Sequence, residues 1–355
     1  MIKLLPAEYI DLISSIFNSI FNSGIAPPEW SDYQIIFIDK KDKERVRPIA
    51  LSSCFGKLME RIIAERFNWW AEHNDKFNQK QNGFRRGRSC AESLIELTTF
   101  LKTGFFNIKN TMAVFLDISS AFDNVLYRVL INKLINEKCP SRITQFVEQW
   151  MYCRRVRFIV DSECIVSKLT YKGLPQGAVL SPILYDFYTN LVDCGVPPSI
   201  RSLQFADDVV MYCSLTEIDK MISDIEKAIY CMRNNLDDLG LTLQSKKTVI
   251  LLFNKNGHIN KNIYININNI KIGLERHAKF LGIWFDVDLS FTKQCNEVKD
   301  RTINANSMFK FFNRVSRGLE VNTSLMLYKS LIRSIADYGS YIFIPTRGDN
   351  RLKIE

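Results

Sequence analysis

The sequence predicts an α+β fold organised around a β-α-β-β-α-β unit, and three observations carry that expectation. Two short, strongly apolar runs each lead into carboxylates: residues 113–116 precede Asp117, and residues 203–206 precede Asp207 and Asp208. Runs that short and that apolar suit buried strands rather than helices. Helical periodicity follows each of them, at 179–193 and at 217–239, and another apolar strand is expected at 248–253. With residues 124–175 set aside as an insert, the order is strand, helix, two-stranded hairpin, helix, strand, which is the split arrangement. Its first strand and central hairpin can be neighbours, so Asp117 would lie near Asp207 and Asp208.

Crowded carboxylates repel one another and persist where a proton or a metal neutralises them. Clusters of acidic oxygens suit Mg²⁺, which binds through one or two carboxylates and completes its shell with water and phosphate. Two such ions, about 3.5–4 Å apart, can clamp the attacking and leaving oxygens of a phosphoryl displacement. A bare Asp-Asp is more often an exposed turn. It is the pair's combination with Asp117 that points to chemistry.

The 355 residues are 46% hydrophobic and 24% charged, an ordinary globular balance with enough apolar material for two or three subdomains. The net charge of +9 favours a polyanionic partner. Nine cysteines contain no Cys-x-x-Cys pair, so zinc spacing is absent and a reducing, intracellular setting, nuclear or cytoplasmic, is expected. No run of about 18 apolar residues is present, so no membrane span is expected.

Taken in order, residues 6–23 place Ile10, Ile13, Phe17, Ile20 and Phe21 on one helical face, stopped by Gly24. A strand at 34–38 enters a charge run at 39–45 and a second strand at 47–51; Lys40, Lys41, Lys43, Arg45 and Arg47 make that tip basic. Residues 53–70 repeat apolar side chains every three or four positions. Arg85, Arg86 and Arg88, spaced by glycines in the run 82–90, form a cationic segment able to approach a phosphate backbone. Helices are expected at 91–101, 125–135 and 143–151, and a hairpin over 154–171. The turn at Gly173, Pro175 and Gly177 presents Gln176, which can both donate and accept hydrogen bonds. Beyond 253 come a polar loop with one short strand, an apolar strand with a glycine bend at 279–285, and a basic helical region at 293–338.

These pieces together resemble the reverse transcriptase domain of non-LTR (LINE-type, jockey-like) retrotransposons over essentially the whole chain. The matching residues are Arg47-Pro-Ile-Ala-Leu51, Gln81-Asn-Gly-Phe-Arg85 with Gly87-Arg-Ser89, Phe115-Leu-Asp-Ile-Ser-Ser-Ala-Phe-Asp123, Gly173-Leu-Pro-Gln-Gly-Ala-Val-Leu-Ser-Pro182, Phe205-Ala-Asp-Asp208 and Phe280-Leu-Gly282. Each is moderately specific; six in this order are very specific. The resemblance implies a right-hand polymerase with fingers at 1–110, a palm at 111–288 (124–175 partly on the fingers side) and a helical thumb at 289–355. It implies an RNA-directed DNA polymerase that uses two Mg²⁺ ions, with Mn²⁺ as a substitute. Its partners would be an RNA template, a DNA primer or nicked target DNA, and dNTPs.

By the same resemblance Asp117, the Ile118 carbonyl, Asp207 and Asp208 would hold the metals. Successive strand residues face opposite ways, and Asp207 is expected to be the closer ligand of the pair. Lys247 resembles the lysine that protonates the pyrophosphate leaving group. Lys41 and Arg47 would hold the triphosphate, and the small residues Ser119, Ser120 and Ala121 would let the backbone approach it. Phe122 would lie under the nucleotide sugar and Gln176 beside the nucleotide or template. Arg85, Arg86 and Arg88 would meet nucleic acid, and Phe280, Leu281 and Gly282 would seat the primer end. Such elements usually encode an endonuclease ahead of the polymerase. Its absence here implies a fragment, a truncated element or a host-retained copy, and one alternative to catalysis is a polymerase-shaped nucleic-acid binder.

Overall fold

The computed structural model describes residues 4–39, 46–107, 109–160, 163–255, 257, 263–267, 270–313 and 318–343. The chain begins with α1 (Ala7–Ser23), β1 (Asp32–Asp39), β2 (Val46–Leu51), α2 (Cys54–His73), α3 (Cys90–Phe106) and β3 (Asn110–Ser119). Next come α4 (Tyr127–Asn136), α5 (Ser141–Met151), β4 (Arg154–Val160), β5 (Glu163–Thr170), α6 (Ser181–Tyr188), β6 (Arg201–Phe205), β7 (Asp208–Leu215) and α7 (Ile218–Asp238). The strands β8 (Thr242–Leu243), β9 (Val249–Phe253), β10 (Tyr264–Ile267), β11 (Ile270–Gly273), β12 (His277–Phe280) and β13 (Ile283–Asp286) precede α8 (Thr292–Asn313), α9 (Val321–Leu327) and α10 (Ser334–Asp337). The split order expected from sequence is present as β3, α6, β6–β7, α7 and β9. No helix among the described residues is long and apolar enough to cross a membrane.

The chain divides into two compact units, each assembled from three stretches. The first comprises Met1–Arg86, Ile118–Cys194 and Cys231–Leu243; the second comprises Gly87–Asp117, Gly195–Tyr230 and Gln244–Glu355. Neither coincides with a single expected subdomain.

In the first unit β2-β1-β4-β5 form one sheet, antiparallel except for the parallel pair β1–β4. Its apolar side carries Tyr33, Ile35 and Ala50, with Val156 and Phe158 packed against them. Ser53 caps α2 by accepting from the Gly56 amide. The apolar stripe of α2 buries Met59, Ile63, Phe67 and Trp70, and Phe67 meets Phe187 of α6 edge-on at 5.5 Å. Of the α1 face only Phe17 and Ile20 are buried, while Ile10 is 44% exposed.

In the second unit β3 is central. β7 lies on one side of it in a register that sets Asp117 opposite Asp208, and β9 lies on the other; β6 pairs with β7. Alternation along β3 sends Ala113 and Phe115 into a core with Leu94, Leu97 and Leu101 of α3 and Phe280, Ile283 and Phe285. Gly104 permits the close approach of α3 to this sheet, since a Cβ there would stand 2.1 Å from Thr111 Oγ1. α3 starts with a reciprocal capping box between Ser89 and Glu92.

Two sequence expectations need correction. Residues 277–286 are a hairpin, not one bent strand: Phe280 pairs with Ile283 across a turn in which Leu281 and Gly282 take φ of +46° and +83°. Two consecutive positive φ angles are what a two-residue type I′ turn requires, and the apolar run hid the reversal. Residues 264–273 likewise contain two paired strands rather than one.

One buried group is costly to the first unit. Asp186 on α6 is 1% exposed, and neither carboxylate oxygen has a hydrogen-bond partner among the described residues. Burial pushes its carboxyl well above the usual range, and the Arg85 guanidinium opposes this only in part. A raised folded-state value means the native protein holds the proton more tightly than the unfolded chain. Stability is therefore full below about pH 4 and falls as pH rises towards the folded value, with a slope of at most about 1.4 kcal/mol per pH unit. Asp186→Asn is expected to flatten that slope. Melts at pH 5 and pH 8 should show a mutant-minus-wild-type difference that grows at the higher pH; a pH-independent difference would refute the assignment.

Candidate active site

The acidic residues gather because of strand register. β3 stays buried up to Leu116 and becomes half-exposed at Asp117, where the apolar run ends. The β6–β7 hairpin closes on the pair Phe205–Asp208, with Ala206 at φ +56° and Asp207 in the two-residue turn. Asp208 sits directly across from Asp117, and directly opposed residues of an antiparallel pair project to the same face. The residue placed opposite Asp117 in the register is thus Asp208, and Asp207 lies in the adjoining two-residue turn.

The electrostatics follow from that crowding. Asp208 keeps access to solvent, yet partial burial of its carboxyl, joined by the charges of Asp207 and Asp117, pushes it up to about 6. Lys247, in the short 3₁₀ turn Ser245–Lys247, places Nζ 2.8 Å from Asp117 Oδ2. The backbone holds this corner as well, because the Gln244 amide donates to the Asp117 carbonyl at 2.9 Å. Among the described residues no three acidic, histidine or cysteine side chains already converge on a common metal position. A pair of opposed carboxylates with a cation on one of them still fits a divalent ion, since Mg²⁺ takes one or two carboxylates and obtains its other oxygens from water and phosphate.

Beyond Asp117 the chain belongs to the first unit. Ile118 is buried and pairs with Leu243; Ser120 takes φ +45°, and Ala121 is buried. The half-buried Phe122 ring stacks on Tyr185 at 4.7 Å between centroids, and its carbonyl accepts from the Leu174 amide at 2.7 Å. Gln176 donates to Asp123 Oδ1 at 3.1 Å, and its carbonyl accepts from the Ala50 amide at 2.7 Å. Gly173 has φ +80°, and a Cβ there would stand 2.7 Å from the Asp123 carbonyl, so only glycine fits.

The remaining expected residues fall in three groups. Arg47 is exposed on β2, whereas Lys41 lies outside the described residues. Arg86 and Arg88 are exposed, but Arg85 is turned inward: it pairs with Glu72 at 2.6 Å, donates to the Asn78 carbonyl and lies over the Phe77 ring. Its neighbours' positive charges face water while its own guanidinium braces the loop. In the β12–β13 turn, Phe280 is buried and the Leu281 carbonyl accepts from the Tyr338 hydroxyl at 2.6 Å.

Sequence reasoning missed Glu60, which is 2% exposed and lies within the apolar stripe of α2. Its signal was available: a carboxylate between Met59 and Ile63 at core spacing must find donors inside. Arg154, 2% exposed, was read only as the start of a strand; its guanidinium donates to the carbonyls of Lys172 and Gly173.

A four-stranded split sheet whose central strands end in opposed aspartates defines a palm-type nucleic-acid polymerase domain. Residues 38–285 match the family described as "Reverse transcriptase (RNA-dependent DNA polymerase)", and the chain belongs to that family. Over 96% of its length it is 25% identical to the "Probable RNA-directed DNA polymerase from transposon BS" and to the "RNA-directed DNA polymerase from mobile element jockey", both of Drosophila melanogaster. It is 27% identical to that organism's "Probable RNA-directed DNA polymerase from transposon X-element" over the same share. The chain spans 38–39% of the length of these relatives. Among solved structures, apo telomerase from Candida Tropicalis shares the fold with a TM-score of 0.53 at 11% identity, covering 99% of this chain and 66% of that one.

Proposed function

We propose that this chain carries out RNA-directed DNA synthesis, in which a primer 3′-hydroxyl attacks the α-phosphate of a dNTP and pyrophosphate leaves. The observation that carries the reading is the face made by Asp117 and Asp208, with Asp207 in the adjoining turn and Lys247 bound to Asp117. Two Mg²⁺ ions, replaceable by Mn²⁺, would be held by Asp117, Asp207, Asp208 and the Ile118 carbonyl, and would supply charge stabilisation at the reacting phosphate. Lys247 donates a proton to the departing pyrophosphate. Lys41 and Arg47 hold the triphosphate, which Ser119, Ser120 and Ala121 allow to come close, and Gln176 contacts the nucleotide or template. Arg86 and Arg88 contact nucleic-acid phosphates, with Arg85 bracing the loop, and Phe280 to Gly282 seat the primer end. In this reading fingers, palm and thumb occupy 1–110, 111–288 and 289–355. The template is RNA, the primer is DNA or nicked target DNA, and the setting is nuclear or cytoplasmic.

The test supplies purified protein with a DNA primer on an RNA template, dNTPs and Mg²⁺. Templated extension is expected. Salt-sensitive binding of the primer–template without incorporation in either Mg²⁺ or Mn²⁺ would replace the proposal with a nucleic-acid binder that performs no transfer.

Sugar selection rests on Phe122. Its ring is fixed by Tyr185 and by the backbone bond to Leu174, so it can serve as a rigid floor under the ribose. A 2′-hydroxyl would clash with such a floor. Phe122→Ala is expected to narrow the dNTP-over-rNTP preference in kcat/KM by about 10- to 200-fold while dNTP incorporation survives. A folded, active mutant that discriminates as sharply as wild type would reduce Phe122 to a packing residue.

A further inference from the structure

The loop that presents Gln176 is fastened on both flanks by buried charged side chains. On the entering side, Arg154 Nη2 donates to the carbonyls of Lys172 and Gly173 at 2.7 and 2.6 Å. On the leaving side, Glu60 reaches across from α2: Oε2 accepts from the amides of Val179 and Leu180 at 2.8 and 3.4 Å, and Oε1 accepts from Trp150 Nε1 at 3.1 Å. Ser181 closes the loop internally by donating to the Pro175 carbonyl at 2.7 Å. Between these ties lie Gly173 at φ +80° and Gly177 at φ +102°, and the residues they flank are held as well by the Leu174 amide on the Phe122 carbonyl and the Ala50 amide on the Gln176 carbonyl.

Glu60 has no role in the metal face, yet a carboxylate that is 2% exposed is expensive to bury. Its three donors offset that cost. They come from two different elements, the α5 indole and the amides leading into α6, so the carboxylate joins three segments of the first unit at one point. An anion is also well placed where the first amides of a helix lack intrahelical acceptors.

We infer that Glu60 is a positioning residue for nucleotide selection: by tying Val179 and Leu180 to α2 and Trp150, it sets the loop that aims Gln176 at the incoming nucleotide. The inference rests on the reading of the chain as a polymerase and goes beyond it by assigning a specific role to a residue that is not part of the acidic face.

Glu60→Gln is the informative change, because it keeps size and shape but leaves only one acceptor oxygen for donors on two sides. Whichever way the amide turns, an N–H faces another N–H. The expected result is a KM for dNTP raised about 10- to 100-fold, from loss of a charge-assisted hydrogen bond. kcat and primer–template affinity should stay near wild type, and the amides of Val179 and Leu180 should exchange faster with solvent. In a Gln176→Ala background the same change should add little, since the side chain being aimed is gone. Trp150→Phe, which keeps an aromatic ring in the core and removes only the indole donor, should act in the same direction by about 3- to 10-fold and serves if Glu60→Gln does not fold. An unchanged KM in a folded variant, or full additivity with Gln176→Ala, would overturn the inference. A wild-type protein that fails to extend primers would sink the polymerase reading instead. The amide-exchange arm would still decide whether Glu60 holds the loop: unchanged exchange at Val179 and Leu180 overturns it.

Discussion

Asp117→Ala is expected to lower single-nucleotide incorporation by at least about 10³-fold, with primer–template affinity little changed. Charge stabilisation by the metals accounts for several kcal/mol at the transition state, and each 1.36 kcal/mol is a factor of ten. Asp117 is central to that on geometric grounds: it stands opposite Asp208, is bound by Lys247 and is fixed through its own carbonyl by the Gln244 amide. Asp208→Ala is expected to behave alike, since the opposed pair forms one face. Primer extension and binding measured on the same preparation check this. A mutant within tenfold of wild type would show that the transfer takes place elsewhere.

The second large effect belongs to Lys247. Lys247→Ala is expected to lower kcat by about 10²- to 10⁴-fold, the usual contribution of a positioned general acid. The ion pair with Asp117 offers a competing role, that of a counter-cation which keeps the carboxylates from repelling one another in metal-free protein. The two roles separate cleanly. A pure counter-cation would lower the melting temperature of metal-free Lys247→Ala and leave kcat intact once divalent metal is added. A large loss of kcat in metal-saturated protein supports the proton donor.

Much of this was legible from the order of apolar runs and breakers. Carboxylates at the ends of two short apolar runs already implied adjacent strands, and the register found between Asp117 and Asp208 is the pairing that the split order permits. Which of Asp207 and Asp208 pairs across from Asp117 was not legible. It depends on where a two-residue turn closes, and that in turn depends on the backbone conformation of Ala206, a residue type that gives no turn signal. The β12–β13 reversal was hidden for a similar reason: Leu281 continues the apolar pattern while adopting a positive φ. Arg85 read as a surface cation because its neighbours Arg86 and Arg88 are. Only the fold brings Glu72, 13 positions earlier, close enough to turn it inward. Glu60 and Asp186 share a different lesson. An acid inside an apolar stripe marks a buried carboxylate, but the sequence alone could not tell that among the described residues Glu60 finds three donors and Asp186 none.

The most direct test of the central claim is the dependence of dNTP incorporation on divalent metal at two pH values. Asp208, pushed up to about 6 by burial and by its acidic neighbours, must release a proton before a cation can use its oxygens. The account predicts no incorporation without a divalent ion, saturation with Mg²⁺ at pH 8, and a higher Mg²⁺ requirement at pH 6, where proton and metal compete. Incorporation that persists after removal of divalent ions, or a Mg²⁺ requirement that is the same at both pH values, would contradict it.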